Sequence, residues 1–228
     1  MNPSKSIRYT FRFWIIACLF IALTACGGAV HVEGHLQQRF NNIDRWISIF
    51  EDPARDEWQQ PDRVVAELNL KSGDVVADIG AGTGYFTRRL ARAVAPGGRA
   101  LGLDVEPGMV RYMEEDARKL GLDNYEAAVV ATDDPGLAPS SVDLIFIADT
   151  YHHLPDRISY IRRLSEALKP GGRIVIVDFY KKPLPVGPPS VKHKVAKQTV
   201  FMEFQRAGYR LRQAFHFLPY QYFLVFSH

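Results

Sequence analysis

The sequence predicts a doubly wound α/β domain, and three observations carry that expectation. Five short runs are apolar throughout rather than alternately, as in strands buried on both faces of a sheet. Segments with helical patterning separate most of them and end in glycine or proline-glycine stops. Strand, helix, strand at this interval calls for right-handed crossovers, and hence a parallel sheet with helices on both faces.

Each element has its own reason. Between 35 and 50, Leu36, Phe40, Ile43, Ile47 and Phe50 recur at three- and four-residue spacing, which predicts an amphipathic helix packing onto the domain. Pro61 sits where a first-turn proline would start a short helix through 63–68, ended by the Lys71-Ser72-Gly73-Asp74 turn. Strands are expected over 75–79, 100–104, 127–130, 142–148 and 173–179, and helices over 85–95, 107–120 and 155–168. Residues 181–189 are too rich in proline for either and read as a stiff exposed loop, a lid over a site or an inert connector. A helix is expected over 191–207, stopped by Gly208. Two aromatic strands, 209–217 and 220–226, are separated only by Leu218 and Pro219, which predicts an antiparallel hairpin at one sheet edge. No internal repeat or second domain is visible.

A chain of 228 residues, 47% hydrophobic and 23% charged, can bury a sizeable core, which excludes a disordered, collagenous or coiled-coil protein. The net charge of +3 resides in Lys5, Arg8 and Arg12, so residues 26–228 hold 25 basic and 25 acidic side chains. A neutral body lacks the concentration of Lys and Arg that binding a phosphate backbone needs, and no nucleic-acid partner is expected. The densest basic patch, Lys181, Lys182, Lys192, His193, Lys194 and Lys197, reads as a solvated face or a neighbour of lipid headgroups.

Those three N-terminal charges precede eleven almost purely apolar residues, 13–23, shorter than the roughly 20 that span a bilayer and suited to a signal segment. Leu23-Thr24-Ala25-Cys26 follows, and it resembles the lipobox of bacterial lipoproteins, whose cysteine is lipidated and becomes the first residue. The expected organisation is a signal peptide over 1–25, a tether with the N-terminal helix over 26–55 and the main domain over 56–228. The resemblance implies a membrane-anchored protein of the bacterial cell envelope; the alternative is an uncleaved anchor with a chance cysteine. Cys18 lies within the apolar run, so a processed chain keeps Cys26 alone and has no disulfide, thiol nucleophile or cysteine metal site.

The stretch carrying chemistry is Val75-Val76-Ala77-Asp78-Ile79-Gly80-Ala81-Gly82-Thr83-Gly84-Tyr85-Phe86: strand, glycine turn, helix start. That arrangement brings backbone N–H groups and a helix N-terminus up to a ligand. A dinucleotide fingerprint would place its third glycine where Tyr85 stands, and no Gly-Lys-Ser or Gly-Lys-Thr follows to make a P-loop.

Asp78-x-Gly80-x-Gly82-x-Gly84 after a first strand resembles motif I of the class I S-adenosylmethionine-dependent methyltransferases. Asp104 lies twenty residues beyond Gly84 at the end of the next apolar run, and Asp133 follows the third strand, with Asp134 its rival. Asp149-Thr150-Tyr151-His152-His153-Leu154 and Leu168-Lys169-Pro170-Gly171-Gly172 resemble the small-molecule branch of the family. The resemblance covers about residues 56 to 226. It implies a Rossmann-like sheet of seven strands, mostly parallel, with the last hairpin reversed. It also implies S-adenosylmethionine as cofactor: amides of Gly80, Ala81, Gly82 and Gly84 cradling its amino-acid part, Asp78 supporting the turn or taking the ammonium through water, Asp104 on the ribose hydroxyls and Asp133 near the adenine amino group. No metal is required, since a sulfonium methyl is already activated and needs chiefly a nucleophile held in line.

An oxygen or nitrogen acceptor calls for a general base near the fourth-strand tip, which makes Asp149, His152 and His153 the catalytic candidates. The two histidines otherwise cap a helix or sit in solvent; Tyr85 covers the donor or packs, and Tyr220 and Tyr222 read as sheet aromatics. The expectation is methyl transfer to a small-molecule acceptor by a lipid-anchored enzyme, with oligomeric state open. An exported domain would be separated from a donor made in the cytoplasm. A nucleoside-binding lipoprotein without turnover therefore stands as the alternative. Aminopropyl transfer is disfavoured because the paired acids after the fourth strand are replaced by Asp149-Thr150-Tyr151-His152.

Overall fold

The computed structural model describes residues 42–228. The expected signal segment, Cys26 and the first part of the 35–50 helix lie outside them. Three short helices lead in: α1 (Ile43–Phe50), α2 (Arg55–Gln59) and α3 (Pro61–Glu67). Then come β1 (Val75–Ile79), α4 (Thr87–Val94), β2 (Arg99–Asp104), α5 (Pro107–Leu120), β3 (Tyr125–Val129), β4 (Val142–Ala148), α6 (Arg157–Ala167), β5 (Leu168–Phe179), α7 (Lys197–Arg206), β6 (Arg210–Phe215) and β7 (Gln221–Ser227).

The seven strands form one sheet in the order β3-β2-β1-β4-β5-β7-β6. Strands β1 to β5 run parallel, and β7 enters antiparallel between β5 and β6. This is the doubly wound Rossmann-like sheet, with its reversed C-terminal hairpin, that the sequence predicts. Side chains alternate between two core layers. Val76, Leu144, Phe146, Val175 and Val177 pack with Val64, Leu90, Val94 and Met113 on one face. Ala77, Ile145, Ile147, Ile174 and Ile176 pack with Ile161, Leu164, Val200 and Phe204 on the other. Both faces being covered explains why the central strands are apolar without a break.

Several boundaries differ from expectation. The helix expected over 191–207 is a single 3-10 turn, Val191–His193, followed by extended backbone and then α7. Lys194 breaks it: its side chain is buried, with Nζ donating to the Lys182 carbonyl at 3.0 Å. The hairpin connection is longer than Leu218 and Pro219, because Leu218 is itself buried in the core and Tyr180 ties its amide to the Tyr220 carbonyl at 3.0 Å before β7 begins. No helix among the described residues is long and apolar enough to cross a membrane.

Sheet order reverses between β1 and β4, so the loops leaving their C-terminal ends part to opposite sides and open a crevice. Pairing of Asp78 with Phe146 across those strands brings the glycine turn beside the 149–153 segment.

Candidate active site

The glycine turn follows Asp78, whose buried Oδ2 accepts a hydrogen bond from Thr87 Oγ1 at 2.7 Å. Gly80, Gly82 and Gly84 all have positive φ, and two of them meet neighbours that forbid a side chain. A Cβ on Gly80 would sit 2.3 Å from the Thr150 methyl, and one on Gly84 would sit 1.6 Å from the Tyr125 hydroxyl. The amides of Gly80 and Ala81 donate to the Leu103 carbonyl, that of Gly82 to Asp104 Oδ2 at 2.7 Å and that of Gly84 to the Ala81 carbonyl. The expected cradle of free amides is therefore corrected: those N–H groups are taken by the protein. The unpartnered polar atom at the turn is Thr83 Oγ1, which is buried.

Around the turn lies a cavity of about 300 Å³. Its floor is Asp78, Gly80, Ala81, Gly82 and Thr83; Asp149, Thr150, His152 and His153 form one side. Trp46, Ile49 and Phe50 of α1 form the roof, and Trp58, Phe179, Pro188 and Pro189 complete an apolar wall. The proline-rich loop thus contributes to the wall. A Cβ on Gly82 would come within 3.3 Å of the Phe50 ring, so helix and turn are in close apposition.

Asp149 directly follows β4, with φ +57. Its Oδ2 accepts from Arg55 Nη2 at 3.2 Å and Gln59 Nε2 at 2.9 Å, and its Oδ1 accepts from Gln221 Nε2. Burial raises its pKa, opposed by the Arg55 charge, while the same burial lowers that of Arg55. Of the three catalytic candidates, Asp149 is therefore a clasp joining α2, β4 and β7, with both oxygens occupied. His152 is held differently. Its Nδ1 faces Asp178 Oδ1 at 2.9 Å, its backbone amide donates to Asp178 Oδ2 at 3.1 Å, and its Nε2 is buried without a partner. The His153 ring packs on it, with centroids 4.1 Å apart.

Among the cofactor candidates, Asp78, Gly80, Ala81 and Gly82 line the cavity, whereas Gly84, Asp104 and Asp133 do not. Gly84 faces Tyr125 of β3 and Met113 of α5, which leave no space for a Cβ. Asp104 accepts the amides of Gly82 and Glu106 at 2.7 and 2.9 Å, so it organises the turn from behind. Asp133 is exposed in the loop after β3, and Asp134 pairs with Arg163 at 3.2 Å. Burial raises the pKa of Asp104 and pushes that of Asp78 up to about 7; Thr87 opposes the latter shift and the nearby Asp104 adds to it. Arg55, Gln59, Trp46, Trp58 and Asp178 were missed. Asp178 had a signal, since it ends the fifth apolar run as Asp78, Asp104 and Asp149 end theirs. Among the described residues no group of three His, Cys, Asp or Glu side chains is placed to hold a metal.

The model of a methyltransferase-domain family matches residues 70–215, from just before β1 to the end of β6. The chain belongs to this methyltransferase-domain family. Among solved structures, the chain is similar to an S-adenosylmethionine-dependent methyltransferase from Aquifex aeolicus, with 29% identity, a TM-score of 0.76 and coverage of 81% of this chain and 97% of that one. It is 32% identical over 129 residues to the 27-O-demethylrifamycin SV methyltransferase of Amycolatopsis mediterranei, covering 55% of this chain and 46% of that protein. It is 24% identical over 147 residues to the demethylmenaquinone methyltransferase of Bacillus velezensis, covering 64% of this chain and 62% of that protein. The chain thus spans between about half and three fifths of the length of these two relatives.

Proposed function

We propose that the protein transfers a methyl group from S-adenosylmethionine to a small-molecule acceptor in the switch-point cavity. The observation that carries this reading is the glycine turn lying open on the cavity floor, beside a buried hydroxyl, Thr83 Oγ1, that lacks a partner. Those residues fit a donor with a charged amino-acid end. Thr83 would bind its carboxylate and Asp78 would take its ammonium, while Asp104 would hold the turn in shape from behind through the Gly82 amide. When bound, the donor supplies a methyl carbon that leaves sulfur, with the C–S electron pair remaining on sulfur, as the acceptor's lone pair attacks. The chain's part is to hold the two in line and exclude water, for which the aromatic roof of α1 is suited. Small-molecule acceptors agree with the relatives named for 27-O-demethylrifamycin SV and demethylmenaquinone, and with a body balanced in charge.

The test is calorimetric titration of the full chain with S-adenosylmethionine and its demethylated product. Both bind, and Asp78→Asn, which removes the charge facing the ammonium, weakens binding by about 1.5–3 kcal/mol, the range for hydrogen bonds to a charged group. Absence of heat for both would overturn the donor site; affinity without turnover of any acceptor would make the protein a binding module.

The N-terminal reading extends this proposal: residues 1–25 direct export, Cys26 carries lipid, and the methyltransferase domain over 56–228 sits in the cell envelope. Cys26→Ser abolishes labelling by a palmitate analogue; labelling that persists would refute lipidation at that residue.

A further inference from the structure

Asp178 and His152 form a unit that the donor site does not use. Asp178 is fully buried at the end of β5, and its Oδ1 accepts from the Phe179 amide at 2.7 Å as well as facing the imidazole. With its other oxygen on the His152 amide, the carboxylate fixes both the main chain and the ring of His152, whose side chain is 2% exposed. A nitrogen against a carboxylate carries the proton, so Nδ1 is the N–H and Nε2 keeps its lone pair. That atom is buried without a hydrogen-bond partner in a residue lining the cavity, a costly arrangement unless a ligand donates to it. The neighbouring groups do not compete: Asp149 is occupied by Arg55, Gln59 and Gln221, and His153 packs on the ring face.

We infer that His152 is the general base, that Asp178 is its positioning residue, and that the acceptor is a neutral planar compound donating a phenolic or enolic hydroxyl to His152 Nε2. The inference rests on the donor site proposed above and deepens it. Planarity follows from walls made of Trp46, Trp58, Phe179 and two prolines. Neutrality follows because Arg55, the one Lys or Arg among the described wall residues, is paired with Asp149. In the proton step the O–H bond breaks with its pair left on oxygen, and the proton forms a new N–H bond at Nε2. The imidazolium so formed lies beside the Asp178 carboxylate, which stabilises it. The oxygen pair is then free to bond the donor's methyl carbon as its C–S bond breaks with the pair left on sulfur, and Nε2 returns its proton to water.

The test reads proton transfer without turnover. The full chain, saturated with S-adenosylhomocysteine, is titrated with 4-nitrophenol at a pH where the free probe is mostly neutral, and the anion band is followed. Wild type binds the probe as its anion. His152→Gln and Asp178→Asn bind it with an anion-to-neutral ratio lower by about tenfold or more, while S-adenosylhomocysteine affinity stays within about twofold, which shows that the variants are folded. An anion band of wild-type size in His152→Gln, a bound probe that stays neutral in wild type, or no binding of the probe overturns the inference and leaves the donor site standing. Failure of S-adenosylhomocysteine to bind wild type overturns both.

Discussion

Asp78 titrates far above an ordinary aspartate because β1 carries it into the sheet interior, where the single Thr87 hydroxyl does not replace the water it has lost. Its pKa is raised from 3.8 to about 7, so between those values the folded chain keeps a proton that the unfolded chain has released. Stability contributed at this site therefore falls as pH rises through that window and is fully lost above it. Asp78→Asn keeps the acceptor for Thr87 and removes the charge. Thermal unfolding near pH 8 should show the variant more stable by on the order of 2–4 kcal/mol, with the gain cut to about half or less near pH 5 and gone below the unfolded value of 3.8; equal gains at pH 8 and pH 5 would sink the assignment. A donor ammonium would draw the same proton out, so binding in calorimetry should release protons near neutral pH. Asp78, Asp104 and Asp149 were legible because each ends an apolar run. Their partners were not. The Arg55–Asp149 pair bridges 94 positions and His152–Asp178 bridges 26, contacts that exist only once the sheet order has been set.

Helix α1 covers the glycine turn although none of its residues is fully buried. Ile43 packs against Gly108 at the start of α5, Phe50 packs over Gly82, and Glu51 just beyond it makes a two-pronged pair with Arg88 of α4 at 2.7 and 2.8 Å. Few buried contacts and a partly exposed ion pair place such an element at the low end of local stability. Glu51→Ala removes about 0.5–1 kcal/mol of docking energy, and hydrogen exchange across 43–50 should quicken about two- to fivefold while β1 and β4 stay protected. Saturating donor should slow it again, since the roof then has a ligand beneath it; exchange indifferent to both changes would mean that α1 is no cover. The amphipathic spacing of Ile43, Ile47 and Phe50 made this helix legible from sequence. Helix α2 was not, because five residues are too few to show a period, and its role is carried by Arg55, Trp58 and Gln59 reaching other elements. Residues 191–207 misled for the opposite reason: their pattern suits a helix, but burial of Lys194 under the Lys182 carbonyl fixes an extended break.

One sheet carries both core layers, and the cavity is bounded by the ends of β1, β4 and β5 together with α1 and the proline-rich loop. The floor and side of the cavity exist only where β1, β4 and β5 are paired in the sheet, so a ligand seated there binds the folded chain and not the unfolded one. Mass action then adds about 2.7 kcal/mol to folding at a donor concentration one hundred times its Kd. For a domain of this size each kcal/mol moves the unfolding midpoint by about 2–4 °C, so S-adenosylmethionine should raise it by about 5–11 °C in a single sharpened transition. A nicotinamide dinucleotide should leave it unchanged, since Tyr85 stands where that fingerprint needs a glycine. Gly82→Ala separates site from scaffold. Its Cβ would lie in left-handed backbone, φ +57, against the Phe50 ring, so the unliganded midpoint falls modestly while the donor-induced rise shrinks towards nothing. A full rise in that variant would put the bound molecule somewhere other than on the turn.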